Sequence, residues 1–494
     1  MGITTTKSHM KFASFDSKTV RDFALVIVTG LTSLVLVSCD AHLDEEGEQT
    51  ALVRKVSERP EYVSDVPKLT EEMLSVKFWQ EKIERDAERL RTDEIVALNT
   101  ESLTQDSYLH NLADFPEMLA RQQVLQLIDQ VSRPASAPRY RLDGRGVSEQ
   151  DYASLEAAVQ RTTVPESVEV QWGVVVARAS MRSYPTMLRI LKNTDDRDLD
   201  RFQETGVFPG QRLAILHESA DGEWWFAVNY HYAAWLPKRA VAVGERQQIN
   251  AWHQQSHRVT VSGAQVRTNY NPEDPRTSEV VLDMGVSLPL LTAAEVGHNV
   301  NGQNPHASYI VSLPVRDAEG RLEFEPTLIG RGQDVTVGLL EYRPSLVLQQ
   351  AFKFLGERYG WGHDYNGRDC TGFVGEVYKS FGILMPRNSG QQGKSEFAPT
   401  KRFAADDHVA RAEALGELQV GDLIYIPGHV MMFIGEVDGE PYVIHDVTGL
   451  SYYQSDESFY KGTLSGVSIT PLTPLYLNKE KSFVDGIYAI KTII

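Results

Sequence analysis

Tyr359-Gly360-Trp361-Gly362-His363, followed by Arg368-Asp369-Cys370-Thr371-Gly372-Phe373, is the stretch from which the rest of the chain is read. Val374, Val377, Tyr378 and Phe381 continue it at helical spacing, so Cys370 opens a helix directly behind an aspartate. A cysteine there faces unpaired backbone amides and the positive end of the helix dipole, which favour a thiolate. An inert core cysteine more often lies in mid-element. Upstream, Pro344 to Tyr359 reads as another helix, with Pro in the first turn and Leu346, Gln350, Phe354 and Leu355 along one side.

A thiolate nucleophile needs an imidazole base and a group that orients it. Gly421-Asp422-Leu423-Ile424-Tyr425-Ile426 reads as a strand, Pro427-Gly428 as a turn, and His429-Val430-Met431-Met432-Phe433-Ile434-Gly435 as the next strand. A third, Tyr442-Val443-Ile444-His445-Asp446, ends in a second histidine. Neighbouring strands place His429 beside the thiol, with His445 holding its other nitrogen. His363 and His408 lack such a context. The chemistry needs no cofactor and no metal, and no cysteine–histidine spacing matches a zinc site.

The segments YGWGH, RDCTGF, GDLIYIPGHVMMFIG and YVIHD together resemble the NlpC/p60 family of papain-like cysteine peptidases. The resemblance covers about 150 residues and implies an α+β papain-like catalytic domain over 343–494. It places nucleophile, base and third polar residue on Cys370, His429 and His445, and puts the Tyr359 hydroxyl near the oxyanion. His363 stands where the family usually has glycine, and Thr371 replaces the commoner serine.

Outward from this block, residues 165–247 and 248–342 alternate in short apolar runs such as Trp224-Trp225-Phe226-Ala227-Val228 and Ala234-Trp235-Leu236, separated by turns. They resemble two bacterial SH3-like β-barrels. Residues 67–160 read as an α-helical N-terminal region, with a long helix through Phe78, Trp79, Ile83, Ala87 and Leu90, then helices from Thr92 and from Met118 to Val131. Helices, two SH3-like units and this catalytic block resemble the γ-D-glutamyl-L-diamino acid endopeptidases. That likeness implies peptidoglycan-derived peptides with a free N-terminal L-Ala as substrates. It places the amine on Asp369, substrate-contacting hydroxyls on Thr371 and Ser389, and a contribution of the first SH3-like unit on Tyr232. Arg387 is read either as a partner for a substrate carboxylate or as a structural ion pair. Two rivals stay open: a peptidase acting on intact wall stems, and a silent wall-binding protein.

Two cysteines serve a chain of 494 residues. Cys39 ends Leu36-Val37-Ser38-Cys39, after basic residues and an apolar run from Phe23 to Val37. This resembles a lipobox, implying a signal peptide over 1–38, lipidation of Cys39, a tether over 39–66, and an extracytoplasmic lipoprotein anchored in the membrane and facing the periplasm. A net charge of −18 argues against nucleic-acid binding.

Overall fold

Strands come first after the helical segments because the apolar alternation of residues 171–243 can be buried only by pairing. Seven strands form one antiparallel sheet: β1 (Gln171–Val175), β2 (Ala179–Arg182), β3 (Gln203–Val207), β4 (Arg212–Glu218), β5 (Trp224–Val228), β6 (Ala233–Pro237) and β7 (Val241–Val243), in spatial order β7-β1-β4-β5-β6-β2-β3. Trp235, Phe226, Trp172 and Val174 fill its interior. The computed structural model describes residues 62–494; the readings on the signal peptide, Cys39 and most of the tether lie outside the described residues. Among the described residues no helix is long and apolar enough to cross a membrane.

Helices α1 (Thr92–Gln105), α2 (Arg121–Val131) and α3 (Glu149–Val159) precede this sheet. Val124 and Ile128 of α2 and Leu155 and Val159 of α3 share the sheet's core, so these helices cover the first β unit. The helix expected through residues 76–90 is not continuous. A helix spans only Val76–Gln80, after a 3-10 turn at Glu71–Leu74. The reason is tertiary: Trp79 is fully buried, its Nε1 donates 2.7 Å to the Met73 carbonyl, and its ring lies 5.3 Å from that of Tyr442. Gly435, at φ +145°, leaves room for the indole, since a Cβ there would stand 3.0 Å from it. Beyond Gln80 the chain is tied to the start of α5 (Pro344–Phe352) by Asp86 on Ser345, and Arg89 N–H donates 2.8 Å to Tyr342 O. This segment is a strap on the catalytic block instead of part of a separate helical domain.

After α4 (Arg246–His253), the second β unit has strands β8 (Arg258–Val261), β9 (Ser287–Leu291), β10 (Ser308–Arg316), β11 (Leu322–Gly330) and β12 (Val335–Val337), ordered β11-β10-β9-β8-β12 around a core of Val259, Leu288, Val311 and Ile329. The catalytic block packs α5 and α6 (Cys370–Lys379) against a six-stranded sheet. Its strands are β13 (Thr400–Arg402), β14 (Leu423–Ile426), β15 (His429–Val437), β16 (Glu440–Tyr453), β17 (Phe459–Pro471) and β18 (Ala489–Lys491), in order β13-β18-β14-β15-β16-β17. Phe373, Val374 and Val377 of α6 meet Val430, Met432 and Ile444 of the sheet.

Trp79→Ala is expected to destabilise the catalytic block by about 3–5 kcal/mol, the usual cost of truncating a fully buried large aromatic. Hydrogen exchange should locate the loss in residues 66–90 and β15–β16; an unchanged exchange pattern would show the strap to be dispensable.

Candidate active site

Cys370 is the first residue of α6 and is 7% exposed. Asp369 is the N-cap: Oδ1 accepts from Gly372 N–H at 2.8 Å. The thiol lies beside the backbone N–H of Val430, the residue after His429, so β15 brings the base to the nucleophile's end of the helix. His429 Nε2 and His445 Nδ1 are 2.8 Å apart, and His445 Nε2 lies 3.0 Å from Thr470 Oγ1 on β17.

With Nε2 engaged by His445, Nδ1 is the nitrogen of His429 left to take the thiol proton. Neutral His429 then donates from Nε2 to His445 Nδ1, and His445 donates from Nε2 to Thr470. Burial holds both imidazoles neutral, lowering His429 to about 4, and burial, then His429, lowers His445 well below the usual histidine range. Tyr359, 8% exposed, completes the pocket; burial, then the neighbouring Cys370 and Asp369, push its hydroxyl far up, so it stays a donor.

The thiolate expected from the helix terminus is not the resting state. Burial, then the Asp369 carboxylate, push the Cys370 thiol up to about 12, against the Val430 N–H and Arg387. The physical reason lies in the cap. Asp369 occupies the helix terminus with its own negative charge, cancelling much of what the amides would give the sulfur.

Arg387 is resolved as an ion pair within the protein. Its Nη2 donates 2.7 Å to Asp369 Oδ2 and its Nη1 donates 3.1 Å to Oδ1, a two-pronged pair with both side chains at most 10% exposed. Nη1 also donates to Thr371 Oγ1 at 2.6 Å, and Nε to Thr205 Oγ1 of β3 at 2.7 Å. Asp369, expected to receive a substrate amine, is thus already paired with Arg387. Besides Arg387, its two oxygens accept from Thr371 Oγ1, Gly372 N–H and Gly362 N–H. The Thr371 hydroxyl, expected to contact substrate, donates to Asp369 and accepts from Arg387.

A second polar group lies close to Arg387, at the edge of the first β unit. The Tyr232 hydroxyl donates 2.5 Å to Glu204 Oε2 of β3 and also meets the Asn388 side chain. Glu204 has no ion-pair partner among the described residues; burial raises its carboxyl, while the hydrogen bonds from Tyr232 and Ser183 hold it down. Ser389 opens the helix α7 (Ser389–Lys394) and is half-buried next to Asn388.

Sequence reasoning missed Glu204, Thr470 and Asp446, and noted His363 only as standing where glycine is usual. His363, at φ +65°, is wedged between Gly206 and Gly372. Its Nδ1 accepts from Gly206 N–H at 3.2 Å, its Nε2 lies 3.2 Å from Glu376 Oε1, and a Cβ on Gly372 would stand 2.7 Å from that nitrogen. It thus locks β3 to α6. Asp446, following His445, is fully buried with no partner for either oxygen among the described residues, and burial, then Asp369 and Glu357, raise it to about 9. Only the spacing His445-Asp446 hinted at it; the others come from elements distant in sequence.

Two pH-dependent outcomes follow. Iodoacetamide should alkylate Cys370 slowly at pH 7, with a rate that climbs through the alkaline range; a plateau already reached by pH 6 would mean a preformed thiolate–imidazolium pair. Asp446 is protonated in the folded state up to about 9 but ionises near 3.8 when unfolded, so the stability it contributes is lost as pH rises through that window. Asp446→Asn should therefore raise Tm at pH 8 and leave it little changed at pH 4, in thermal melts across that range.

The model for the SH3 domain (SH3b1 type) matches residues 189–237, and that for the NlpC/P60 family matches residues 356–468. The chain is 25% identical over 252 residues to a gamma-D-glutamyl-L-lysine dipeptidyl-peptidase of Bacillus cereus, spanning 47% of this chain and 65% of the relative. It is 33% identical over 97 residues to a protein named probable endopeptidase p60 of Listeria seeligeri, spanning 18% of this chain and 16% of that one. A solved NlpC/P60 endopeptidase from Photobacterium damselae subsp. piscicida superposes with a TM-score of 0.68 at 16% identity, over 84% of this chain and 96% of the other, a likeness of fold. Residues 356–468, which match the NlpC/P60 family model, hold Cys370, His429 and His445, and they follow the stretch that matches the SH3b1-type model.

Proposed function

We propose that this chain is a cysteine peptidase of the cell wall, a γ-D-glutamyl-L-diamino acid endopeptidase that cuts peptidoglycan stem peptides bearing a free N-terminal L-Ala. The observation that carries it is the His429–His445–Thr470 line at the helix opened by Cys370. The named relatives give the substrate class its support.

On this reading Cys370 Sγ attacks the carbonyl carbon of the γ-D-Glu amide while His429 Nδ1 takes the thiol proton. The tetrahedral oxyanion receives hydrogen bonds from the Cys370 N–H and the Tyr359 hydroxyl. Collapse breaks the C–N bond, and His429 gives its proton to the leaving amine of the diamino acid. Water, deprotonated by His429, then hydrolyses the thioester and restores the thiol. His445 and Thr470 keep His429 in one tautomer throughout.

The free amine of L-Ala falls to Glu204, with Tyr232 and Asn388 beside it, because Asp369 is saturated by Arg387. A cell-wall substrate fits a chain proposed to be lipidated at Cys39 and anchored in the membrane facing the periplasm, where released peptides would be taken up for recycling.

Purified chain incubated with L-Ala-γ-D-Glu-diaminopimelate should release L-Ala-γ-D-Glu, and Cys370→Ala should abolish this. The N-acetylated tripeptide should be cut poorly, and Glu204→Gln should reduce kcat/KM for the free peptide by about 10- to 100-fold, the worth of a charged hydrogen bond, while hardly affecting the acetylated one. Equal cleavage of both peptides by the wild type would favour action on intact wall stems, and no cleavage of any stem would favour a binding protein.

A further inference from the structure

Behind the catalytic helix, α1, α4, the starts of β4 and β8, and the C-terminal end of α6 line a partly open cavity of about 370 Å³. That is the size of small-ligand sites. Leu103, Leu112, Pro209, Val286 and Leu384 make its walls apolar. Its ionisable lining is of one sign. Arg212, Arg258, Lys379, His110 and His253 face it, and no Asp or Glu does.

These cations lack the partners that buried charges ordinarily have. The Arg212 guanidinium makes no hydrogen bond or ion pair among the described residues, and its Nε is buried. Lys379 has no ion pair there and sits 5.6 Å from the centre of the Phe208 ring. Arg258 is held in place by neutral acceptors only: Ser287 Oγ at 3.1 Å, Ser287 O at 2.7 Å and Trp252 O at 3.0 Å. His253 Nε2 is buried without a partner. The carboxylates that act on Lys379, Glu376 and Asp283, are both bound to Arg368 at 2.9 Å. Burial, the leading cause in each case, lowers Arg212, Lys379 and His253, and lowers Arg258 to about 10. The cavity is therefore a set of convergent donors carrying uncompensated positive charge, bordered by hydrocarbon.

We propose that this cavity binds a small organic carboxylate, its anionic end on Arg212 and Lys379, with Arg258 behind, and its short apolar body against the leucine-lined walls. The site is separate from the catalytic centre. Lys379 is the last residue of α6 and Cys370 the first, about 13 Å apart along the axis at the rise of an α-helix. A narrow pocket sharing Gln211, Tyr230 and Lys379 continues from it to Thr371, Gly372 and Arg387, so an occupant would lie against the framework that holds Asp369.

The test uses the full chain in both wild-type and Cys370→Ala form, with hexanoate, its neutral isostere hexanamide and inorganic phosphate as probes. Calorimetry should show saturable binding of hexanoate in both forms, at least ten-fold tighter than hexanamide or phosphate, with a rise in Tm. Arg212→Gln and Lys379→Gln should each weaken hexanoate at least ten-fold, and Arg212→Lys, which keeps the charge, should weaken it less. The Tm without ligand should not fall in either neutral variant, because an uncompensated charge has been removed. Hexanamide binding as well as hexanoate, phosphate binding as well as hexanoate, or glutamine variants that bind as the wild type does would each overturn the proposal. Should one variant fail to fold, the comparison of hexanoate with hexanamide on the wild type still decides.

Discussion

A buried guanidinium–carboxylate pair, Arg387 with Asp369, is the interaction on which the arrangement of this molecule depends. Removing one partner of such a pair leaves a buried charge uncompensated, typically a loss of about 3–5 kcal/mol. Here the two partners also have other work. Asp369 caps the helix whose first residue is Cys370, and Arg387 reaches Thr205 on the first β unit. The position of the nucleophile is therefore tied to the docking of a separate β sheet. His363 repeats the connection, lodged between Gly206 and Gly372, and Arg178 adds a third, donating to the carbonyls of His363 and Gly367. The first β unit is part of the catalytic framework.

The same pair sets the electrostatics. One ion pair carries the fixed charge beside the sulfur, and every other titratable group around it rests neutral: the thiol, both imidazoles, the Tyr359 hydroxyl and the Asp446 carboxyl. Charge then appears only as the reaction proceeds, in a site whose donors are already oriented by β strands and a helix terminus. Preorganised dipoles acting on developing charge are the largest single source of catalytic acceleration, because nothing has to reorient at the moment of reaction. A cap of Ser or Thr at 369 would leave the helix terminus more positive and the thiol easier to ionise. Asp369 gives up that advantage in return for the anchor to Arg387.

How far the sequence could be read depended on whether a group acts through its own neighbours in the chain. Cys370, His429 and His445 were legible because a helix start, a Pro-Gly turn and two strands each announce themselves locally. The fate of Arg387 was not, because the choice between a substrate carboxylate and a structural pair turns on whether Asp369 is free. Glu204 carried no signal at all, since it matters only where β3 meets the loop at 361–366 and the Asn388 turn. Trp79 marked an apolar position correctly but not its helix: Nε1 on the Met73 carbonyl and the ring against Tyr442 stop the helix at Gln80, a tertiary contact overriding periodicity.

Saturation of Asp369 moves the question of substrate selection from the catalytic block to its boundary with the first β unit. A carboxylate already receiving an arginine fork and three further neutral donors gains little from a second cation, whereas Glu204 holds the hydroxyls of Tyr232 and Ser183 and, among the described residues, no ion-pair partner. An amine that reached Glu204 would be recognised by a wall that belongs to another domain. A longer chain continuing past that point would meet Tyr232 and β3 instead of solvent. On the proposed reading, selection for a short peptide would rest on this boundary, with Glu204 taking the free terminus and Tyr232 and β3 standing beside it. The mutual locking of Arg387, Asp369, Thr205 and His363 keeps that wall at a fixed distance from the sulfur. A fixed distance is what converts recognition of an amine into the choice of one scissile bond.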